Sequence, residues 1–401
     1  MIIFVHNSKL WEMDKEKLSR ISVLALNRIF GYEPKFSHSI IDALGSPEAV
    51  FSLPEDELLH IFGPFSKYLP QINDTALEKA EKELDGLLSR GCSVLGICDS
   101  AYPELLKECE DAPVALYVRS GTDAASIFNR RPAVSIVGTR DISPYGKEWC
   151  ERIVSVLSRS PIKPLIVSGL AIGVDITAQM TALCCGLPTV GVLPVGITEV
   201  YPRRHYVAAG KIADSPGSAL VTDYPPGTPA TAFNFLRRNR IIAGISSATI
   251  LIESKVKGGG TMTARLAFGY GREVLALPGR IDDVRSAGCN RLIKEEIAVP
   301  IDSLESLPEI LGLGQAGGIA PDNSAERVKE YYSCILDAED SDAIAALFRT
   351  IGKNRGVCPD ELCRMCGMDY GRVSRLTGLL ENDGFIETDL MQRCTINGKK
   401  H

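Results

Sequence analysis

Residues 133–140 read AVSIVGTR, a short run of small and β-branched residues that ends in a glycine, a hydroxyl and an arginine. The run is too short for a core helix, and it lacks the alternation of a strand with one wet face. It therefore predicts a strand covered on both sides, as in a parallel sheet. The same signature returns at PLIVSG (164–169), PTVGVLP (188–194), SALVTDY (218–224), ATILIES (248–254) and EVLALPG (273–279). Helical patterns separate most of these runs: YGKEWCERIVSVLS (145–158), VDITAQMTALCC (174–185), LRRNRIIAGI (236–245) and TMTARLAFGYG (261–271). Strands alternating with helical crossovers predict an α/β fold, a Rossmann-like, doubly wound, mostly parallel sheet.

Outward from this core the pattern changes twice. Residues 1–90 carry apolar residues at three-four spacing in short segments such as EKLSRISVLALNRIF and TALEKAEKELDGLLSRG. They predict a small helical domain of the sterile-alpha-motif-like or helix-hairpin-helix-like kind, preceding a core at 91–310. A Gly- and Ala-rich stretch at 311–326 reads as a linker. Residues 327–401 then give three helices followed by a strand, the order of a winged helix-turn-helix domain.

The 401 residues are 45% hydrophobic and 23% charged, values of soluble globular chains. The opening MIIFVHNSKLWEMDK holds an apolar run too short for a signal peptide or a membrane span, so a cytoplasmic location without membrane insertion is expected. The 12 cysteines are accordingly read as thiols rather than a disulfide framework. The net charge of −6 conceals a basic block: residues 130–300 hold 21 Lys and Arg against 13 Asp and Glu. A local field of that sign steers polyanions whatever the overall charge.

In an open parallel sheet, ligands bind beyond the carboxyl ends of the strands. The loops leaving those ends are GTR (Gly138, Thr139, Arg140), SGLAIGVD (from Ser168, Gly169 and Leu170), PVGITEVYPRRH (with Arg203 and Arg204), KVKGGGTMT (with Lys255, Lys257, Gly259, Gly260 and Thr261) and PGR (ending in Arg280). Glycine lets a backbone approach a ligand closely, and a following helix offers unpaired N–H groups. Arg237, Arg238 and Arg240 add three cations within four positions of RRNRIIAGIS (237–246), with no carboxylate nearby in sequence. Such a rim suits several phosphates.

The loop GLAIGVD is not a G-x-G-x-x-G fingerprint and no P-loop is present, which disfavours nucleotide cofactors. Hydrolase and metalloprotease motifs are likewise lacking, and of five histidines only His205 lies in the basic core. No catalytic or metal-ligating residue is assigned. Cys358, Cys363, Cys366 and Cys394 have the spacing of a plant-type iron–sulfur ligand set, but the middle two sit on a short predicted helix and read as packing thiols. Tyr201, Tyr206, Phe233 and Phe235 are candidates for base stacking, with burial in the core as the alternative.

Taken in order, SIVGTRDISPYG, SGLAIGVD, EVYPRRH, DYPPGTPATAFNFLRRNRIIAGIS, GGGTMTAR, REVLALPG and GCNRLI resemble the motif series of the DNA processing protein A (DprA/Smf) family. The resemblance implies a non-enzymatic protein that binds single-stranded DNA and uses no cofactor. It protects incoming strands and helps to load the RecA recombinase onto them during natural transformation, as a homodimer through the Rossmann-like core. By that resemblance Arg140 is the main phosphate-binding arginine, assisted by Gly138 and Thr139, by Arg203 and Arg204, and by the Arg237–Arg240 cluster; Arg240 is alternatively a brace for the loops beneath. Ile172 and Gln179 depart from the family's usual charged residue and histidine. Two rivals remain. A LOG-like nucleotide phosphoribohydrolase needs a glutamate where Ala264 stands, and a DNA-binding regulator would act through the winged helix, where Arg372 and Arg375 could meet phosphates.

Overall fold

The computed structural model describes residues 14–314 and 324–396, apart from Tyr32, Cys334, Arg355 and Leu390. The chain forms two compact units, Met1–Gly317 and Gly318–His401.

The first unit is built on a nine-stranded sheet of order β1-β2-β6-β5-β4-β3-β7-β8-β9. All six predicted core strands form: β3 (Ala133–Val137), β4 (Leu165–Ser168), β5 (Thr189–Val192), β6 (Ala219–Thr222), β7 (Ala248–Leu251) and β8 (Glu273–Ala276). They pair in parallel, and a short ninth strand (Val299–Pro300) extends one edge. Every residue of β3 to β7 is buried, which is why these strands read as continuous apolar runs. Strand order reverses between β3 and β7, which places a topological switch point there. The other edge carries β1 (Cys92–Gly96) and β2 (Ala115–Arg119), both antiparallel to their neighbours and neither assigned as a strand from sequence.

The amino-terminal segment forms α1 (Lys15–Phe30), α2 (Pro34–Leu44), α3 (Glu55–Phe62) and α4 (Asp74–Leu88), with short helical turns at Ala49–Ser52 and Leu69–Gln71. It packs in the same unit as the sheet. In α1 the stretch from Ile21 to Asn27 is buried throughout, since α1 lies between α4 and the β1–β2 edge. Phe30, Phe36, Phe62 and Tyr68 meet at ring-centroid distances of 4.7–5.9 Å and close the helical end. A buried aromatic of this kind contributes about 2–3 kcal/mol.

The unit's longer remaining helices are α5 (Pro144–Ser158), α6 (Val174–Cys184), α7 (Tyr206–Asp214), α8 (Ala232–Ile245), α9 (Gly259–Gly269) and α10 (Ala287–Lys294). Ser143 caps α5 through the Gly146 amide, and Thr231 caps α8 through the Asn234 amide. The expected linker at 311–326 narrows: Leu311 and Leu313 are buried in the core, Ser324 already begins a helix, and 315–323 lie outside the described residues.

The second unit comprises α11 (Ser324–Ser333), α12 (Ala338–Lys353), α13 (Pro359–Cys366) and α14 (Tyr370–Asn382). The single strand expected after them is an antiparallel pair, β10 (Ile386–Thr388) and β11 (Cys394–Ile396). Gly367, at φ +65°, turns the chain between α13 and α14, and the Asp369 carboxylate caps α14. Cys394 is buried in this unit's core with Leu362, Leu376 and Ile386, and Cys363 and Cys366 pack against it.

Candidate nucleic-acid interface

The loops after β3 and β7 meet at the switch point. A Cβ on Gly138 would come within 2.6 Å of Val174 and 2.8 Å of the Glu253 carbonyl, and one on Gly260 within 2.9 Å of Gly138 Cα. Only glycine permits that approach. The Thr139 amide donates to the Glu253 carbonyl at 2.6 Å, so the two loops are joined by backbone as well. The buried Glu253 carboxylate accepts the Ser143 amide (2.9 Å) and hydroxyl, and thereby fixes the start of α5. The Thr139 hydroxyl accepts the Asp141 amide at 3.1 Å.

Arg140 leaves this junction exposed, its guanidinium 4.8 Å above the Phe235 ring. Phe235 in turn meets Tyr201 edge-on at 5.1 Å. Arg140, the β5 loop and the first turn of α8 therefore form one ridge. Cation–π contact contributes roughly 0.5–2 kcal/mol and leaves the guanidinium edge for other acceptors. Tyr201, Tyr206 and Phe233 are 39%, 64% and 59% exposed, so burial holds only in part for Phe235.

Three expected contacts turn inward in the β4 loop. The Ser168 hydroxyl donates to the Ile136 carbonyl at 2.6 Å. The Gly169 amide donates to the Asp175 carboxylate at 3.1 Å, and the Leu170 amide to Gln179 Oε1 at 3.1 Å. Leu170 is fully buried with φ +54°, and its carbonyl lies 2.8 Å from His205 Nδ1. Ser168, Gly169 and Leu170 are thus scaffold rather than surface, their polar groups spent on the fold. Burial holds the Asp175 carboxyl above its ordinary range against the opposing pull of Arg238. Gln179 bridges the Leu170 amide and the Val190 carbonyl, a purely internal task.

The arginine cluster divides. Arg238 is 3% exposed and donates to the Gly169 carbonyl at 2.6 Å and to that of Val192. Burial pushes its pKa down to about 10, with Asp175 opposing. Arg240 is also buried and donates to the Asp111 carbonyl and the Asp223 carboxylate. Arg237, its side chain 11% exposed, lies 3.7 Å from the same carboxylate. Arg238 and Arg240 therefore brace the loops, and Arg237 also lies over Asp223. The missing carboxylate is Asp223, brought beneath the arginines from the end of β6.

Arg203 and Arg204 are exposed on the 3-10 turn Arg203–His205, which the His205–Leu170 contact ties to the β4 loop. Lys255, Lys257 and Gly259 are exposed at the start of α9. Gly260 and Thr261 are buried; the Thr261 amide and hydroxyl both reach Ser254 Oγ, at 3.2 and 2.9 Å, so Thr261 closes the loop instead of offering a donor. Arg280 is engaged bidentately by Asp282. Ala264 is fully buried, so no acid–base group stands where a phosphoribohydrolase would need one. In the second unit Arg372 pairs with Glu339 and Asp340 at 2.9 and 2.8 Å, and Arg375 pairs with Asp340. Among the described residues no group of three or more His, Cys, Asp and Glu could hold a metal ion, and no helix is long and apolar enough to cross a membrane.

The carboxyl edge of the sheet thus presents Arg140, Arg203, Arg204, Lys255 and Lys257 over a floor of internally satisfied loops. The family model for DNA recombination-mediator protein A matches residues 93–312, the part that builds this edge. Protein Smf of Escherichia coli is 37% identical over 209 residues, 51% of this chain and 54% of that protein. The chain thus spans about half the length of that relative. DNA processing protein DprA of Streptococcus pneumoniae is 35% identical over 227 residues, 56% of this chain and 74% of that protein. The crystal structure of DprA from Streptococcus pneumoniae superposes with a TM-score of 0.55 at 28% identity, covering 73% of this chain and 96% of that one. With the motif series, the sheet order and the family match in agreement, this chain belongs to the DNA recombination-mediator protein A (DprA/Smf) family.

Proposed function

We propose that the chain is a non-enzymatic, cytoplasmic binder of single-stranded DNA that shields strands and helps to load a RecA recombinase onto them during natural transformation. It works without a cofactor, as a homodimer through the Rossmann-like unit, and its carboxy-terminal unit is a winged-helix module. The observation that carries this reading is the ridge of Arg140 on Phe235 on Tyr201, flanked by Arg203, Arg204, Lys255 and Lys257 at the switch point. Exposed cations neutralise phosphates, an aromatic step accepts bases of any sequence, and the braced loops keep both in place. The paired arginines of α14 favour a protein-contact or structural role for the second unit over duplex binding.

A salt titration tests the reading. Each neutralised phosphate on a single strand contributes about −0.7 to the slope of log affinity against log salt. Five exposed cations give a slope of roughly −3.5, and Arg140→Ala should make it shallower by about 0.7. Duplex of the same length should bind more weakly. An Arg140→Ala variant that binds like the parent at every salt concentration refutes the site.

A further inference from the structure

A second basic surface adjoins the rim, on the amino-terminal helices. Lys79, Lys82 and Gly86 lie at i, i+3 and i+7 on α4, one stripe about 10 Å long, and Arg90 follows the end of the helix. With Arg28 of α1 they line a cavity of about 490 Å³ that is closed on the sheet side by Thr198 and Pro226. Arg28 and Pro226 also line a neighbouring cavity of about 410 Å³, whose far wall is Asp223 and Arg237. The two adjoin at Arg28 and Pro226 and together make a trough lined from Arg237 to Arg90.

The trough has fixed walls. Asn27 on α1 donates to the Asp223 carbonyl at 2.9 Å, which ties the helices to the β6 loop. In that loop the Thr228 hydroxyl donates to the Pro225 carbonyl (2.7 Å), the Gly196 amide to the Thr228 carbonyl (3.2 Å) and Asn234 to the Pro229 carbonyl (2.9 Å). Three prolines and these bonds make the saddle between the cavities rigid.

Of the charged groups that line the first cavity, Arg28, Lys79, Lys82 and Arg90 are basic and Glu83 is acidic. The two carboxylates at the floor are occupied: Glu83 accepts the Tyr117 hydroxyl at 2.7 Å and pairs with Arg28, and Asp223 holds the arginines of α8. Elsewhere on α4, Glu81 and Asp85 are taken by Lys17 at 2.9 and 3.7 Å. Lys79, Lys82 and Arg90 stand exposed, and among the described residues none of them has an ion-pair partner, Glu78 included. Three exposed cations without an ion-pair partner, in a trough that reaches Arg237 at the α8 arginines, are placed for further phosphates of the same strand.

We propose that this trough is a second segment of the single-strand path, engaged only by oligonucleotides long enough to pass the Pro226 saddle. The proposal rests on the rim reading above and extends it. The test uses the full chain and a Lys79→Gln, Lys82→Gln, Arg90→Gln triple variant with oligo-dT of about six and about twenty nucleotides, lengths that bracket ordinary site sizes. On the long strand the variant should lose about 2 from the salt slope, so between 50 and 200 mM salt the parent loses about 20-fold more affinity than the variant. On the short strand the two proteins should coincide, which also reports that the variant is folded. If parent and variant coincide on both lengths, the extension is refuted and the rim stands. Equal weakening on both lengths refutes it too, because the effect then has no dependence on reach. A parent that binds neither strand overturns the rim and the extension together.

Discussion

Arg238→Met separates bracing from binding in the arginine cluster. The guanidinium holds the carbonyls of Gly169 and Val192, and at 3% exposure no water can replace it. Methionine matches the stem and removes both donors. Each buried carbonyl left without a partner costs about 1–3 kcal/mol, and the Asp175 carboxylate loses its nearby cation. Relief from the desolvated charge offsets part of this, so the net loss should be about 3 kcal/mol. Urea unfolding of the first unit, followed by near-ultraviolet signal, should show a lower midpoint with an unchanged slope. Under conditions where the variant is folded, its salt slope for a short oligonucleotide should equal the parent's, because a buried cation neutralises no phosphate. A variant with the parent's midpoint and a shallower salt slope would mean that Arg238 faces the strand and that the bracing argument is wrong.

Two further outcomes follow from the same geometry. Phe235→Leu removes the platform under Arg140 and the edge contact with Tyr201; single-strand affinity should fall about fivefold, roughly 1 kcal/mol, with the salt slope kept, and a change in slope would contradict a stacking role. Asp175 has its folded-state pKa raised, with burial the largest cause. Its contribution is therefore fully present below the unfolded value and is lost as pH rises through the folded one. Relative to Asp175→Asn, the parent should be most stable at the acid end of the carboxylate range and lose that advantage as pH increases; a gap that widens with pH would reverse the sign.

What the sequence disclosed follows from how each element is buried. Strands β3 to β8 lie between helices on both faces, so their apolar runs are unbroken and were legible. Strands β1 and β2 escaped because they pair antiparallel at the edge, outside the strand–helix alternation that marks the core. The exposed cations Arg140, Arg203, Arg204 and Lys257 could be placed at this edge because loop position after a parallel strand fixes where a side chain emerges. The β4 loop misled for a specific reason. Its glycines suggested donors turned outward, yet Asp175 and Gln179, six and nine positions beyond the amides that they accept, turn back from α6 to take them. A polar acceptor in the first turns of a helix after a glycine loop was the available signal. The arginine cluster misled because a pairing between Asp223 and Arg240, seventeen positions apart and on different elements, leaves no local mark.

These corrections change what kind of binding surface the edge can be. With the amides of Gly169, Leu170 and Thr261 all used inside the fold, directional backbone contacts are scarce along this rim. On the proposed reading, affinity comes chiefly from exposed cations and the aromatic ridge, both indifferent to base identity. The Arg238 bonds to the Gly169 and Val192 carbonyls and the buried Asp223–Arg240 pair serve that arrangement: they pin the loops that carry mutually repelling cations. A buried charge pair adds little net stability but is costly to break, so it is suited to fixing a geometry. The same logic accounts for Asn27 and the three prolines beside the trough, where rigidity of the saddle keeps a second set of like charges in line with the first.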